Sequence, residues 1–312
     1  MSESAPTVYL HQEALMGHDM WSEWLLHHRF GGDAQHMQAV LEYLRPVRDR
    51  VLDNARLAEG DMVLDVGCGD GLIAFGALER IASGAVIFSD ISEDLLNHAQ
   101  SLARDMGLLD RCRFLLAPAE DLSALEEASV DVVTTRSVLI YVAAKRQAFG
   151  EFYRILKPGG RLSIFEPINR FGEEVFSQPH CFAGYDVTPV MDIAQKVKAL
   201  YHQLQPRDSD PMLDFDERDL IAYAEEAGFK MIRLELQAEV ASLGNAGMSL
   251  EDRNWETFLH TAGNPKIPTL EEAMRQVLTP EETARFVTHL RPLVETNQRI
   301  HRSATVFLWA IR

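Results

Sequence analysis

Residues 63–75 read VLDVGCGDGLIAF, a short β-branched run that breaks into closely spaced glycines and resumes as a helical pattern. Glycine lets the backbone turn sharply and approach a ligand with no Cβ in the way. The helix that follows offers free backbone amides at its start, where a carboxylate or a pyrophosphate can be held. Spacing separates the two. Dinucleotide sites read G-x-G-x-x-G, whereas Gly67, Gly69 and Gly71 give G-x-G-x-G, with Asp65 two residues ahead of the first.

Outward from this loop, short apolar runs alternate with helical patterns, the signature of a parallel sheet wrapped by helices. The expected strands are residues 62–66, 85–89, 113–116, 131–135 and 161–166. Phe149, Phe152, Tyr153 and Leu156 follow i, i+3, i+4, i+7 spacing and mark the helix before the fifth strand. It stops at Lys157-Pro158-Gly159-Gly160, where proline and glycines enforce a turn. Residues 230–240 and 304–311 read as two further strands, held apart by residues 241–303. That stretch is expected to be helical: Thr269 with Glu272, and Thr279 with Pro280 and Glu282, are capping-box starts, and Phe258, Phe286 and Leu290 supply apolar faces. A helix over residues 18–29 is expected to stop and restart at Gly31-Gly32-Asp33. The expected organisation is a helical cap over 1–45 and a catalytic domain over 46–312 with insertions at 168–213 and 241–303. These additions are read as a lid or pocket wall.

The chain has 312 residues and a formal net charge of -17. A polyanionic partner is repelled at long range unless a basic patch compensates. HHRF (27–30) and RPVRDR (45–50) are the nearest to one, and acids dilute both, so neither nucleic acid nor a membrane is expected as partner. No apolar run approaches the roughly 20 residues of a membrane helix, and the N-terminus lacks the pattern of a secretory signal. Cys68, Cys112 and Cys181 are an odd, sparse set, which argues against a disulfide framework and for a cytoplasmic location. His27 and His28 point about 100° apart on a helix, and His11 and His18 are seven residues apart, so no metal is expected.

Two further strand ends carry chemistry. The second runs into Ser89-Asp90-Ile91-Ser92, where an acid can accept from both hydroxyls of a ribose. Ile91 can pack on an adenine face, and Ser92 has the place of a helix N-cap. The third ends in Ala117-Pro118-Ala119-Glu120-Asp121-Leu122, where a backbone amide and a carboxylate can read an adenine edge.

Taken together, VLDVGCGDG, SDIS, APAEDL, DVVTTRSVLIYV and RILKPGGRLSIFEP resemble the class I S-adenosylmethionine-dependent methyltransferases, closely over residues 61–167 and only in architecture beyond them. The resemblance implies an α/β, Rossmann-like, seven-stranded and mostly parallel sheet with helices on both faces. It makes Asp65, Gly67 and Gly69 the loop at the methionine end and Asp90 the ribose ligand. Ile91 would lie on the adenine, Ala119 would offer it an amide, and Glu120 would be the side-chain partner. Arg136 and Ser137 would pass under the methionine and sulfonium. In one departure, relatives often carry an acid where Pro118 stands.

Methyl transfer is an in-line displacement that needs alignment, exclusion of water and sometimes removal of a proton. Tyr141, one turn past Ser137, can position an acceptor or simply pack under the cap. Glu166, at the carboxyl end of the fifth strand, can orient an amine or hydroxyl or act as a base; its structural alternative is to tie down the following loop. Tyr9, Trp21, Trp24, Phe171, Phe176, Phe182 and Tyr185 are candidates for an acceptor pocket, a minority of them in contact with substrate. His11, His18 and His180 lie in segments able to close over it. The expected function is transfer of a methyl group from S-adenosylmethionine, leaving S-adenosylhomocysteine, to an oxygen, nitrogen or carbon of a small molecule. The alternatives are a nicotinamide-dependent oxidoreductase, whose glycine spacing differs, and a non-catalytic subunit that binds S-adenosylmethionine. A homodimer is left open.

Overall fold

The computed structural model describes residues 19–241 and 254–312. Its centre is a seven-stranded sheet in the order β3-β2-β1-β4-β5-β9-β8. The strands are β1 Met62–Val66, β2 Ala85–Asp90, β3 Cys112–Leu116, β4 Val130–Arg136, β5 Leu156–Pro167, β8 Lys230–Ala241 and β9 His301–Ile311, with a separate two-residue hairpin of β6 Cys181–Phe182 and β7 Tyr185–Asp186. Neighbours from β3 to β5 run parallel, and β9 runs antiparallel to both β5 and β8. This is the expected mixed α/β architecture. Chain order reverses between β1 and β4, and at such a switch point the loops leaving the strands part to form a crevice.

Helices cover both faces. On one side lie α2 Ala34–Ala55, α3 Leu72–Arg80 and α4 Glu93–Asp105, whose Val51, Leu52, Ile73, Ala77 and Leu96 pack on Val63, Phe88 and Val132. On the other lie α5 Lys145–Ile155 and α8 Glu217–Ala227, whose Phe149, Phe152 and Leu220 pack on Leu64, Val133 and Ile164. Apolar side chains alternate to the two faces because strand side chains do. Ser92 caps α4 by accepting from Leu95 N–H, as its position indicates.

The insertions join. Residues following β5 form α6 Arg170–Phe176, the β6–β7 hairpin and α7 Met191–Leu204; those between β8 and β9 form α9 Trp255–His260, α10 Leu270–Val277 and α11 Pro280–Glu295. Ile193 and Val197 from the first set bury against Trp255, Met274, Phe286 and Leu290 from the second. Two segments distant in sequence therefore share one core. The capping boxes at Thr269 and Thr279 open α10 and α11 as expected.

Three expectations are corrected. The boundary between 45 and 46 falls inside α2, which runs unbroken through Pro46 because Asp33 caps its start and Val47, Val51 and Leu52 bury on the sheet. Residues 18–29 are not one regular helix: α1 Met20–Glu23 passes into a π turn at Trp24–His28, closed by Arg29 N–H donating to the carbonyl of Trp24. The insertion expected over 241–303 is shorter at both ends, since Ala241 pairs with His301 and Glu239 with Ser303 in the sheet. Among the described residues no helix is long and apolar enough to cross a membrane.

Candidate functional site

The switch-point crevice is a cleft of about 440 Å³, within the usual size range of small-molecule sites. The glycine loop forms one wall. Gly67 and Gly69 have φ of +64° and +55°, a region costly to residues with a Cβ. A Cβ on Gly67 would stand 2.3 Å from Val138 Cγ2, so that position lacks room for any other residue without displacing the loop after β4. Cys68 N–H donates to the carbonyl of Ser89 at 2.9 Å, fastening the loop to β2.

Asp90 faces this cleft from the end of β2. Its Oδ2 accepts from Gly69 N–H at 2.8 Å and its Oδ1 from Ser92 N–H at 3.0 Å. A carboxylate has about four acceptor sites, so each oxygen keeps capacity for a ligand hydroxyl. Burial raises its pKa, while those backbone bonds oppose the rise. Ile91, half exposed, lines the same end with Ala119 and Glu120. Asp121 lies away from the cleft and accepts from Ser123 N–H at 3.1 Å.

Two of the expected site carboxylates lie beneath the cleft. Asp65 is buried, with Oδ1 accepting from Thr134 Oγ1 at 2.8 Å and a further bond from Ala74 N–H in the first turn of α3. It braces the loop from below, and burial pushes its pKa up to about 7 against those bonds.

Glu166 is likewise fully buried. Its Oε1 accepts from Val138 and Leu139 N–H at 2.8 and 2.9 Å, and its Oε2 from Ile140 N–H at 3.2 Å. The expected contact with a substrate is thus corrected: a carboxylate committed to three amides under the loop meets no acceptor. Burial pushes its pKa up to about 7, and the three amides pull the other way. Glu166 ties down not the following loop, expected as its structural alternative, but the one after β4. That loop begins at Arg136 and Ser137, both lining the cleft, with Ser137 at φ +56°.

Tyr141 ends the loop and faces the cleft. Burial pushes its phenol up to about 12. Its ring meets Trp21 edge-on at 5.0 Å between centroids.

Trp21, Trp24, Leu25 and Arg29 close the cleft from the N-terminal side, and Thr261, Ala262 and Gly263 from the second insertion. Asp19 anchors the first lip by accepting from Ser92 Oγ at 2.6 Å and donating its N–H to Asp94 at 2.7 Å. The lips meet where Trp24 Nε1 donates to the carbonyl of Ala262 at 2.7 Å and Thr257 Oγ1 donates to Asp33 at 2.8 Å.

Of the aromatic candidates, Trp21 and Trp24 line the cleft, whereas Phe182 and Tyr185 are core residues of the helical lobe and Phe171 packs on the sheet. Gly172 lies against the Phe176 ring, and Phe176 does not line the cleft. His180 lines a separate groove. Tyr9, His11 and His18 lie outside the described residues. Cys68 and Cys181 are buried free thiols, and no cluster of three metal-ligating side chains occurs among the described residues. Sequence reasoning missed Leu25, Arg29 and residues 261–263; an apolar residue, an arginine and a Thr-Ala-Gly step carry no signal until folding brings them to the crevice.

The core of the chain is similar to known methyltransferases. Residues 64–164 match the family described as "Methyltransferase domain". The match reaches from β1 to β5. The chain is 30% identical over 141 residues to the ubiquinone/menaquinone biosynthesis C-methyltransferase UbiE of Idiomarina loihiensis, covering 45% of this chain and 55% of that protein. It is 29% identical over 140 residues to the aklanonic acid methyltransferase DauC of a Streptomyces species, covering 45% and 63%. A tRNA 5-carboxymethoxyuridine methyltransferase of Escherichia coli is 33% identical over 102 residues, covering 33% of this chain and 38% of that protein. The chain spans about half the length of the curated relatives it matches. In fold, it superposes on YcgJ of Bacillus subtilis with a TM-score of 0.52 at 17% identity, covering 85% of this chain and 97% of that one.

Proposed function

We propose that this protein transfers a methyl group from S-adenosylmethionine to a small molecule held in the switch-point cleft. The observation that carries the reading is the convergence of Gly67, Gly69, Asp90, Ala119 and Ser137, from four successive strand ends, on one cleft. The fit has two supports. Gly67 approaches Val138 so closely that only a residue without Cβ leaves the cradle open, and Asp90 keeps acceptor capacity suited to vicinal hydroxyls.

When bound, S-adenosylmethionine supplies a methyl group on a sulfonium, open to in-line displacement. Asp90 would hold the ribose, Ile91 would cover the adenine face, and Ala119 with Glu120 would read its edge. The glycine loop, braced by Asp65, would carry the methionine end. Glu166 acts through the loop it holds and sets where Ser137 and Tyr141 stand. Tyr141, neutral at ordinary pH because its pKa lies at about 12, would orient an acceptor by hydrogen bonding and not serve as a phenolate base. The two lips exclude water, which strengthens such polar contacts and protects the alignment.

A small acceptor is supported by the closed lips and the net charge of -17, which opposes polyanions even though one relative is named for tRNA. Three free cysteines suit a reducing compartment such as the cytoplasm. Calorimetric titration with S-adenosylmethionine and with NADH tests the cofactor; binding of NADH alone would end the reading. Release of S-adenosylhomocysteine in the presence of candidate acceptors then tests the reaction, and its absence across a broad acceptor set would favour a non-catalytic subunit.

A further inference from the structure

The sheet ends on an open edge. β8 is its last strand, and no described strand pairs with its outer side. It runs for 12 residues, about twice the usual length of a strand, and holds no proline. Natural edges of this kind are usually blunted, because their free N–H and C=O groups recruit another strand. Here a bulge blunts one end, between Lys230 and Arg233, with Met231 at φ +50°. From Arg233 to Ala241 the register with β9 is continuous. The ladder also gives the direction of the free groups. Ile168 N–H donates to the carbonyl of Ala304 at 2.7 Å, so Ala304 turns its backbone groups towards β5 and away from β8. Ala238 stands opposite Ala304 and therefore turns its own N–H and C=O outward. Leu234, Leu236 and Val240 do the same, since alternate residues of an antiparallel strand bond to the same side.

The two faces of this edge differ. Leu234, Leu236, Ala238 and Val240 share one face, where Leu234 packs on the core beneath α5 and α8, while Leu236 and Val240 are 42% and 61% exposed. Arg233, Glu235, Gln237 and Glu239 share the other, where Arg50 of α2 meets Glu235 and Glu239 lies 3.5 Å from His301. We propose that the outer edge of β8 binds the same edge of a second copy of this chain, antiparallel about a two-fold axis at Leu236. Two seven-stranded sheets then become one continuous sheet across an isologous contact. On the apolar face this register sets Leu236 against its own copy and Leu234 against Ala238. On the polar face it sets Arg233 against Glu239 and Glu235 against Gln237. Each outward N–H meets an outward C=O. Moving the axis by one residue puts Glu235 opposite its own copy or opposite Glu239, and like charges directly opposed are destabilising. Moving it two residues towards Lys230 runs the pairing into the bulge, and two residues the other way carries the partner of Arg233 past the end of the strand. Backbone bonds and the apolar row supply the affinity; Arg233 and Glu239 set the register. The contact is independent of what the cleft binds.

The test is sedimentation equilibrium of the full chain over a concentration series up to its solubility limit, where wild type should form a reversible dimer. Arg233→Glu and Glu239→Arg should each weaken self-association about tenfold, because each sets like charges opposite one another twice per dimer. An equimolar mixture of the two variants should associate nearly as well as wild type, since each copy then meets the opposite charge at both positions. Ala238→Pro removes an outward N–H and leaves the β9 ladder its bonds, so it should yield a folded monomer by circular dichroism. Should that variant fail to fold, the charge variants, both at exposed positions, carry the test. A wild type that stays monomeric overturns the proposal; if that monomer binds an unrelated extended peptide along β8, the edge belongs to a partner strand instead. A dimer unaffected by a folded Ala238→Pro variant overturns it too. So does a mixture of the charge variants that associates no better than either alone, by placing the contact in another register or on another surface.

Discussion

The indole Nε1 of Trp24 and the carbonyl oxygen of Ala262 stand 2.7 Å apart, a hydrogen bond between residues 238 positions apart in the chain. It joins the N-terminal lip to the insertion lip over the cleft. Both residues also line the cleft, so the bond that closes the site is part of its wall.

Trp24→Phe keeps an aromatic ring and removes the donor. The Ala262 carbonyl loses its partner, at a cost of about 1 kcal/mol, and the lips part more readily. Stopped-flow displacement should show S-adenosylhomocysteine leaving severalfold faster than from wild type. An unchanged dissociation rate would mean that the lips do not gate exchange.

Asp90→Ala removes acceptors for Gly69 and Ser92 N–H along with the proposed ribose contacts. Cofactor affinity should fall by about 1–3 kcal/mol, and Asp90→Asn, which keeps one acceptor oxygen, should fall less. Equal affinities for wild type and Asp90→Ala in calorimetry would remove Asp90 from the site.

Gly67→Ala meets two obstacles, a positive φ and the Val138 side chain at 2.3 Å from the new Cβ. The backbone cost alone is about 1–2 kcal/mol. Cofactor binding should drop sharply, and adding Val138→Ala should restore part of it by relieving the clash but not the strain. If the double variant binds no better than Gly67→Ala, Val138 is not the obstacle.

Glu166 carries a pH prediction. Burial raises its pKa to about 7 from the ordinary carboxylate value of 4.5. The folded state therefore holds the proton more tightly than the unfolded chain. Its contribution to stability is full below pH 4.5 and is lost as pH rises through about 7, on the order of 3 kcal/mol for such a shift. Urea denaturation should show wild type losing more stability than Glu166→Gln between pH 4.5 and 7.5. Turnover should run the other way and rise with pH through about 7, because the carboxylate form accepts from all three loop amides. A flat stability difference between the two proteins across that window would show that Glu166 does not titrate there.

Local chemistry explains what was legible beforehand. The caps at Ser92, Thr269 and Thr279 each involve neighbours within one helical turn, so residue type and spacing alone indicate them. Strand ends and the glycine loop are legible for the same reason: backbone conformation at Gly67 and Gly69 is set by the absence of a side chain at the residue itself. Which loop Glu166 anchors was not legible, because its partners are the amides of residues 26 to 28 positions earlier and amides have no residue type. The boundary expected between residues 45 and 46 lies inside α2, because Val47, Val51 and Leu52 of that helix bury on the sheet across it.

The sequence by itself determined the sheet core, the glycine loop and the acid at Asp90, since strand period, turn chemistry and helix capping act over a few residues. Only the tertiary structure decided that Asp65 and Glu166 are braces under the cleft, that the two insertions share one core, and that Trp24, Arg29 and residues 261–263 meet across it. Those outcomes depend on which surfaces bury against each other, and burial is a property of the whole packed chain.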